Sequence, residues 1–111
     1  MYLYVELWTP KSSWLELSAE ERESYFEAVG SDIESLTEEG IEVIGFAIND
    51  EGTPQRIDHR YLAAWTMPSE DHAETLEEAV AEAGWYEYFD QINARGELIS
   101  TEDTFGDMIS L

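Results

Sequence analysis

Three observations predict an α+β fold, a four-stranded antiparallel sheet with two helices on one face. Segments of β-branched and aromatic residues recur at Tyr2–Trp8, Ile41–Asn49, Arg60–Met67 and from Trp85 to about Asn93. Two segments between them carry apolar residues at helical spacing. The resulting order is strand, helix, strand, strand, helix, strand, then a short C-terminal helix. With right-handed crossovers, that order gives the split βαβ arrangement.

Alternation along the first strand places Leu3, Val5 and Leu7 on one face and Tyr2, Tyr4, Glu6 and Trp8 on the other. The aliphatic face suits packing under helices. The aromatic face suits a pocket wall or a subunit interface. Thr9–Ser13 is turn-rich, and Pro10 cannot continue a sheet ladder. Ser18-Ala19-Glu20-Glu21 is a capping box that starts the first helix, with Tyr25, Phe26, Val29, Ile33 and Leu36 as its stripe. Gly30 opens the option of a bend, and Gly40 stops the helix.

The second strand is expected to be buried on much of both faces because its residues are almost all apolar. Turn residues at Asp50–Pro54 open a loop that runs to about Asp58, longer than a tight hairpin requires. Tyr61, Ala63, Trp65 and Met67 share one face of the third strand. Pro68-Ser69 caps the second helix, whose stripe is Ala73, Leu76, Val80 and Ala83 and whose stop is Gly84. In the fourth strand Tyr86, Tyr88 and Ile92 alternate against Phe89, with a helical start to this aromatic-rich segment as the alternative, and Thr101 caps the last helix, with Phe105, Met108 and Ile109 on its apolar side.

A chain of 111 residues forms one domain, residues 1–111, and its 43% hydrophobic content is too high for a disordered segment. No run approaches the ~18 apolar residues of a membrane span. The N-terminus lacks the pattern of a signal peptide. Cysteine is absent, which removes thiolate ligands and thiol nucleophiles. A cytoplasmic protein is the expectation. Twenty-six acidic residues against five basic ones give a formal charge of −21, with Lys11 the single lysine. That charge repels itself in dilute buffer and is screened in concentrated salt. Spread over the expected solvent faces, it suggests a salt-rich cytoplasm rather than mimicry of nucleic acid. Nucleic-acid binding is not expected, since no basic patch exists to displace counterions.

The element order, the aromatic first strand, the junction Trp65-Thr66-Met67-Pro68-Ser69 and the segment Gly84-Trp85-Tyr86-Glu87-Tyr88-Phe89 together resemble the dimeric α+β-barrel proteins, whose subunit is a ferredoxin-like domain. Within them the chain looks most similar to small proteins of unassigned function from halophilic archaea. The resemblance implies a homodimer in which two sheets pack face to face. It spans cofactor-independent oxygenases, haem-degrading enzymes and isomerases, and so fixes no reaction. Neither His59 nor His72 sits in a motif matching a haem ligand.

Glu6 lies between Tyr4 and Trp8 on the aromatic face, where burial would raise its pKa and fit it for proton transfer. The alternative is a structural carboxylate paired with Arg60 or Arg95. His59, beside Asp58, is a second candidate for general acid–base work, with a surface role as its alternative. Tyr4, Trp8, Tyr61, Trp65, Trp85, Tyr86 and Tyr88 are candidates for lining a pocket for a flat organic molecule, and Arg60 for holding an anionic group. No clustered ligands suggest a metal, and no motif calls for a cofactor. Three readings follow: a barrel that binds a small organic molecule, a cofactor-independent oxygenase or isomerase using Glu6 or His59, and a structural dimer with a filled interior.

Overall fold

The computed structural model describes residues 1–111. Its elements are β1 (Tyr2–Pro10), α1 (Ser12–Leu15), α2 (Ala19–Glu38), β2 (Glu42–Ile48), β3 (Tyr61–Met67), α3 (Glu70–Glu82), α4 (Trp85–Tyr88), β4 (Phe89–Glu97) and α5 (Thr101–Ile109). The strands form one antiparallel sheet in the order β2-β3-β1-β4, the ferredoxin-like arrangement that the element order predicts. None of the helices is long and apolar enough to cross a membrane.

The capping box forms as its sequence requires. Ser18 Oγ accepts from the Glu21 N–H, and the Glu21 carboxylate accepts from the Ser18 N–H, each at 3.1 Å. The helix then runs through Gly30 without a break, because packing of its Tyr25, Ile33 and Leu36 side outweighs the glycine's entropy. Gly40 takes φ +90° directly after the helix, and Gly84 takes φ +70° after α3, conformations that favour glycine at both stops.

Strand register identifies the two faces of the sheet. Tyr4 lies opposite Trp65 and Arg95, Glu6 opposite Ala63 and Asn93, and Trp8 opposite Tyr61 and Gln91. This aromatic face is the one under the helices: Tyr4, Trp8, Trp65 and Met67 form the core with Leu36 of α2 and Ala73 and Leu76 of α3. The aliphatic face of Leu3, Val5 and Leu7, expected beneath the helices, is the open one. Large rings fill the wide space between a sheet and a helix layer, while short side chains suit a flat outer face.

Four further elements depart from expectation. Strand β1 runs on to Pro10, which lies opposite Phe89 at the end of the ladder instead of in a turn. Strand β2 is an edge strand with Ile44, Phe46 and Ile48 exposed, rather than buried on both faces, and it carries a bulge between Val43 and Gly45. Trp85–Tyr88 is a helical turn, so β4 begins only at Phe89. The N-terminal region supplies partners for its carbonyl groups: the Lys11 N–H donates to Tyr88 O (2.8 Å), Lys11 Nζ to Tyr86 O (2.6 Å) and Ser13 Oγ to Glu87 O (2.5 Å). The last helix is capped by Ser100, whose hydroxyl accepts from the Asp103 N–H, one residue before the expected Thr101.

Ser18→Ala is expected to destabilise the fold by about 1 kcal/mol, typical of a lost N-cap. Urea unfolding at fixed salt should show a lower midpoint with an unchanged slope; an unmoved midpoint would show that the box contributes nothing.

Candidate functional site

A cavity of about 460 Å³ lies between the sheet and the helices of a single chain, and 15 of its 18 lining residues are hydrophobic. The sheet supplies Glu6, Trp8, Phe46, Tyr61 and Trp65. Helix α2 supplies Phe26, Val29, Ile33 and Leu36, while α3 and its end supply Leu76, Ala79, Val80 and Ala83. Trp85 and Phe89 close one side. The amphipathic stripes of both helices thus face a space they do not fill.

At the wall of this space Glu6 is 6% exposed, the one charged residue in the buried core. Alternation on the central strand β1 directs it under the helices, and the small Ala63 opposite leaves room for its carboxylate. Trp65 Nε1 donates to Glu6 Oε1 at 2.6 Å, and Gln91 Nε2 donates to Glu6 Oε2 at 2.8 Å. Gln91 Nε2 also donates to Asn93 Oδ1 (2.8 Å), and Gln91 Oε1 accepts from Trp85 Nε1 (2.7 Å). The chain Trp65–Glu6–Gln91–Trp85 therefore leaves no buried side-chain polar atom without a partner. Burial pushes the Glu6 carboxyl up from the usual carboxylate range, and the donated hydrogen bonds from Trp65 and Gln91 offset part of that shift.

The surrounding rings brace one another. Trp8 stacks on Tyr61 (centroids 5.9 Å apart) and meets Trp85 (5.7 Å) and Phe46 (6.3 Å) edge to face. Phe46 in turn meets Trp65 at 6.4 Å. Such contacts add about 0.5–1.5 kcal/mol each beyond area burial and fix ring orientations.

Of the residues singled out from sequence, the structure brings Glu6, Trp8, Tyr61, Trp65 and Trp85 together around the cavity. The others stand elsewhere. Tyr4 is buried, but its hydroxyl donates to Glu77 Oε2 at 2.9 Å; burial first, then that carboxylate, hold its hydroxyl well above the usual phenol range. Arg95 lies 3.5 Å from the same Glu77 carboxylate and 3.7 Å from Glu70, so it pairs with α3 and not with Glu6. Arg60 is exposed and covers the ring of Tyr61, donating to its hydroxyl at 3.1 Å, outside the cavity wall. His59 Nδ1 sits 3.0 Å from Thr9 Oγ1 at the strand end, away from Glu6's cavity. Tyr86 is solvent-exposed on α4, because the predicted strand there is a helical turn. Tyr88 packs on Trp14 and Tyr25 instead.

Phe46 and the α2 residues line the cavity, and Gln91 holds Glu6 without lining it; none of them was singled out for the site from sequence. Gln91 shares strand parity with Phe89 and Asn93, a signal visible once β4 is known to begin at Phe89. The cavity itself lies inside one chain, whereas the aromatic face was expected to meet a second sheet.

Over residues 1–111 the chain matches the model of a family of unknown function, DUF6616, and it belongs to that family. None of the curated proteins matches it in sequence. Among solved structures it is similar to TA0507, described there as a provisional chlorite dismutase, with a TM-score of 0.67 and 16% identity over 96% of this chain. The chain spans about half the length of that protein, 48%. It is also similar to At3g17210 from Arabidopsis thaliana: TM-score 0.59 and 15% identity in the crystal, over 91% of this chain and 98% of the other. The solution structure of At3g17210 gives 0.56 and 14%, over 90% and 89%. At these identities the likeness shows the fold.

Because the Glu6 pKa is raised on folding, the stability tied to its neutral form is fully present below the ordinary carboxylate range. It is lost as pH rises through the raised value. Trp65→Phe removes a donor to the carboxylate and is expected to cost about 1–3 kcal/mol. It should also move that pH window upward, because a hydrogen bond that lowers the pKa is lost. Unfolding free energies of both proteins across pH check this; a constant difference would show that Trp65 does not act on the charge of Glu6.

Proposed function

We propose that this protein binds one small organic molecule with a flat, largely apolar body in the cavity between its sheet and its helices. The observation that carries this reading is an aromatic-walled space of about 460 Å³ with a single hydrogen-bonded glutamate in its buried wall. Pockets for small ligands are commonly of ~300–1,000 Å³, mostly apolar, with a few placed polar groups. The rings are already braced, so little ordering entropy opposes binding. A filled interior, the structural-dimer reading, does not account for such a space.

The second reading is a cofactor-independent oxygenase or isomerase, and one observation favours it. Glu6 lies in the wall with its pKa raised by burial, which brings a carboxyl toward the range useful for moving a proton at neutral pH. His59 does not reach that wall, so the proton-transfer role in this reading falls to Glu6.

The test is titration of tryptophan fluorescence with 1-naphthol as a flat probe. Saturable quenching at one probe per chain is expected, and Val80→Trp, which fills the cavity from α3, should weaken it at least about tenfold. Unchanged binding in that folded variant, or no binding to the wild type, would overturn the reading.

We also propose a homodimer and a salt-rich cytoplasm. The open sheet face presents Leu3, Val5, Leu7, Leu62, Ala64 and Ile92 in adjacent registered positions, in a chain of net charge −21. Contiguous apolar surface on so charged a protein calls for a cover, and a second copy of the sheet has the matching shape. Light scattering should give a dimer in molar potassium chloride that separates or unfolds in dilute buffer. A stable monomer in both would overturn the barrel.

A further inference from the structure

We infer that the cavity takes an organic cation, an alkylated ammonium group on an apolar body, with Glu6 as its counter-ion; the inference rests on the ligand-binding reading above. The charged residues in the wall are Glu6 and Asp32, both acidic, and none of the five basic residues of the chain lines it. A phosphate or carboxylate ligand would meet like charge in a largely apolar cleft without a compensating cation. A neutral hydrocarbon would satisfy the rings but leave a desolvated carboxylate with no opposite charge nearby.

An alkylated ammonium meets both requirements. Trp8, Phe46, Tyr61, Trp65 and Trp85 line the same cavity as Glu6, with successive ring centroids 5.7–6.4 Å apart. Electron-rich ring faces attract a cation, and an ammonium bearing alkyl groups in place of N–H donors needs no further acceptors from an apolar wall. Each Glu6 oxygen already accepts one hydrogen bond and retains a lone pair. Those two donors fix the carboxylate in place without neutralising it. The summed charge of −21 concentrates cations around the whole molecule. The remaining titratable groups in the wall are Asp32 from α2 and Tyr61 from β3, while α3 and β4 present none.

The probes are phenyltrimethylammonium and its neutral isostere tert-butylbenzene, titrated by tryptophan fluorescence in about 2 M potassium chloride, where surface charge is screened and a buried pair much less so. Phenyltrimethylammonium is expected to saturate at one per chain and to bind at least about tenfold more tightly than tert-butylbenzene. Glu6→Gln should erase that preference, bringing the two probes to within about threefold of one another. Equal affinities in the wild type, or a preference that survives Glu6→Gln, would overturn the cation inference and leave the ligand-binding reading standing. Binding of neither probe would overturn both. Should Glu6→Gln fail to fold, the wild type decides across pH. Cation affinity should fall as pH is lowered through the titration of Glu6 while the neutral probe's does not, and a preference independent of pH overturns the inference.

Discussion

The placement of one carboxylate governs the interior of this protein. Glu6 on the central strand is desolvated, and an unpaired charge there would be costly. Trp65 and Gln91 meet its two oxygens, Trp85 meets Gln91, and the strands on both sides of β1 are thereby tied to it through side chains as well as backbone. The acceptors Glu6 Oε1 and Gln91 Oε1 orient the indoles of Trp65 and Trp85. The ring cluster around the cavity is consequently held by a polar network as well as by its own ring contacts.

That network also explains why the aromatic face points toward the helices. Indole N–H groups and a carboxylate need partners from neighbouring strands and a wall that excludes water, and only the helix-covered side offers both. The rings hold α2 and α3 away from the sheet, and the space that remains is the cavity. Tyr25, half-buried beside it, donates its hydroxyl to the Ala83 carbonyl at 2.8 Å, joining α2 to the end of α3. Burial and the neighbouring acidic groups push that phenol up to about 12, so it stays a donor at ordinary pH.

The surface follows a separate rule. Carboxylates cover the outer sides of both long helices, where Coulomb repulsion is moderated by solvent and salt. The few cations are used locally: Arg22 donates to the carbonyls of Trp14 and Leu15, Arg56 to carbonyls at the ends of the β2–β3 loop, and Arg95 faces Glu70 and Glu77. This leaves the cavity wall without positive charge, and the global composition therefore reaches the chemistry of the site.

Sequence alone determined the element order, the strand parity of Tyr4, Glu6, Trp8 and of Tyr61, Trp65, the Ser18 capping box and the glycine stops at Gly40 and Gly84. These depend on neighbours two to four residues away, and alternation and periodicity report them directly. It also singled out Glu6, Trp8, Tyr61, Trp65 and Trp85, because a carboxylate among aromatics of one parity is visible without coordinates. Only the tertiary structure decided which face of the sheet the helices cover. Parity separates two faces but does not say which is inside, and that choice put the cavity within a single chain rather than against a second sheet. Tertiary contacts also decided between strand and helix at Trp85–Tyr88, since its carbonyl groups find partners on Lys11 and Ser13, more than seventy residues earlier. The removal of Tyr4, His59 and Tyr86 from the wall, and the attachment of Gln91 to Glu6, have the same origin: hydrogen bonds between residues far apart in the chain.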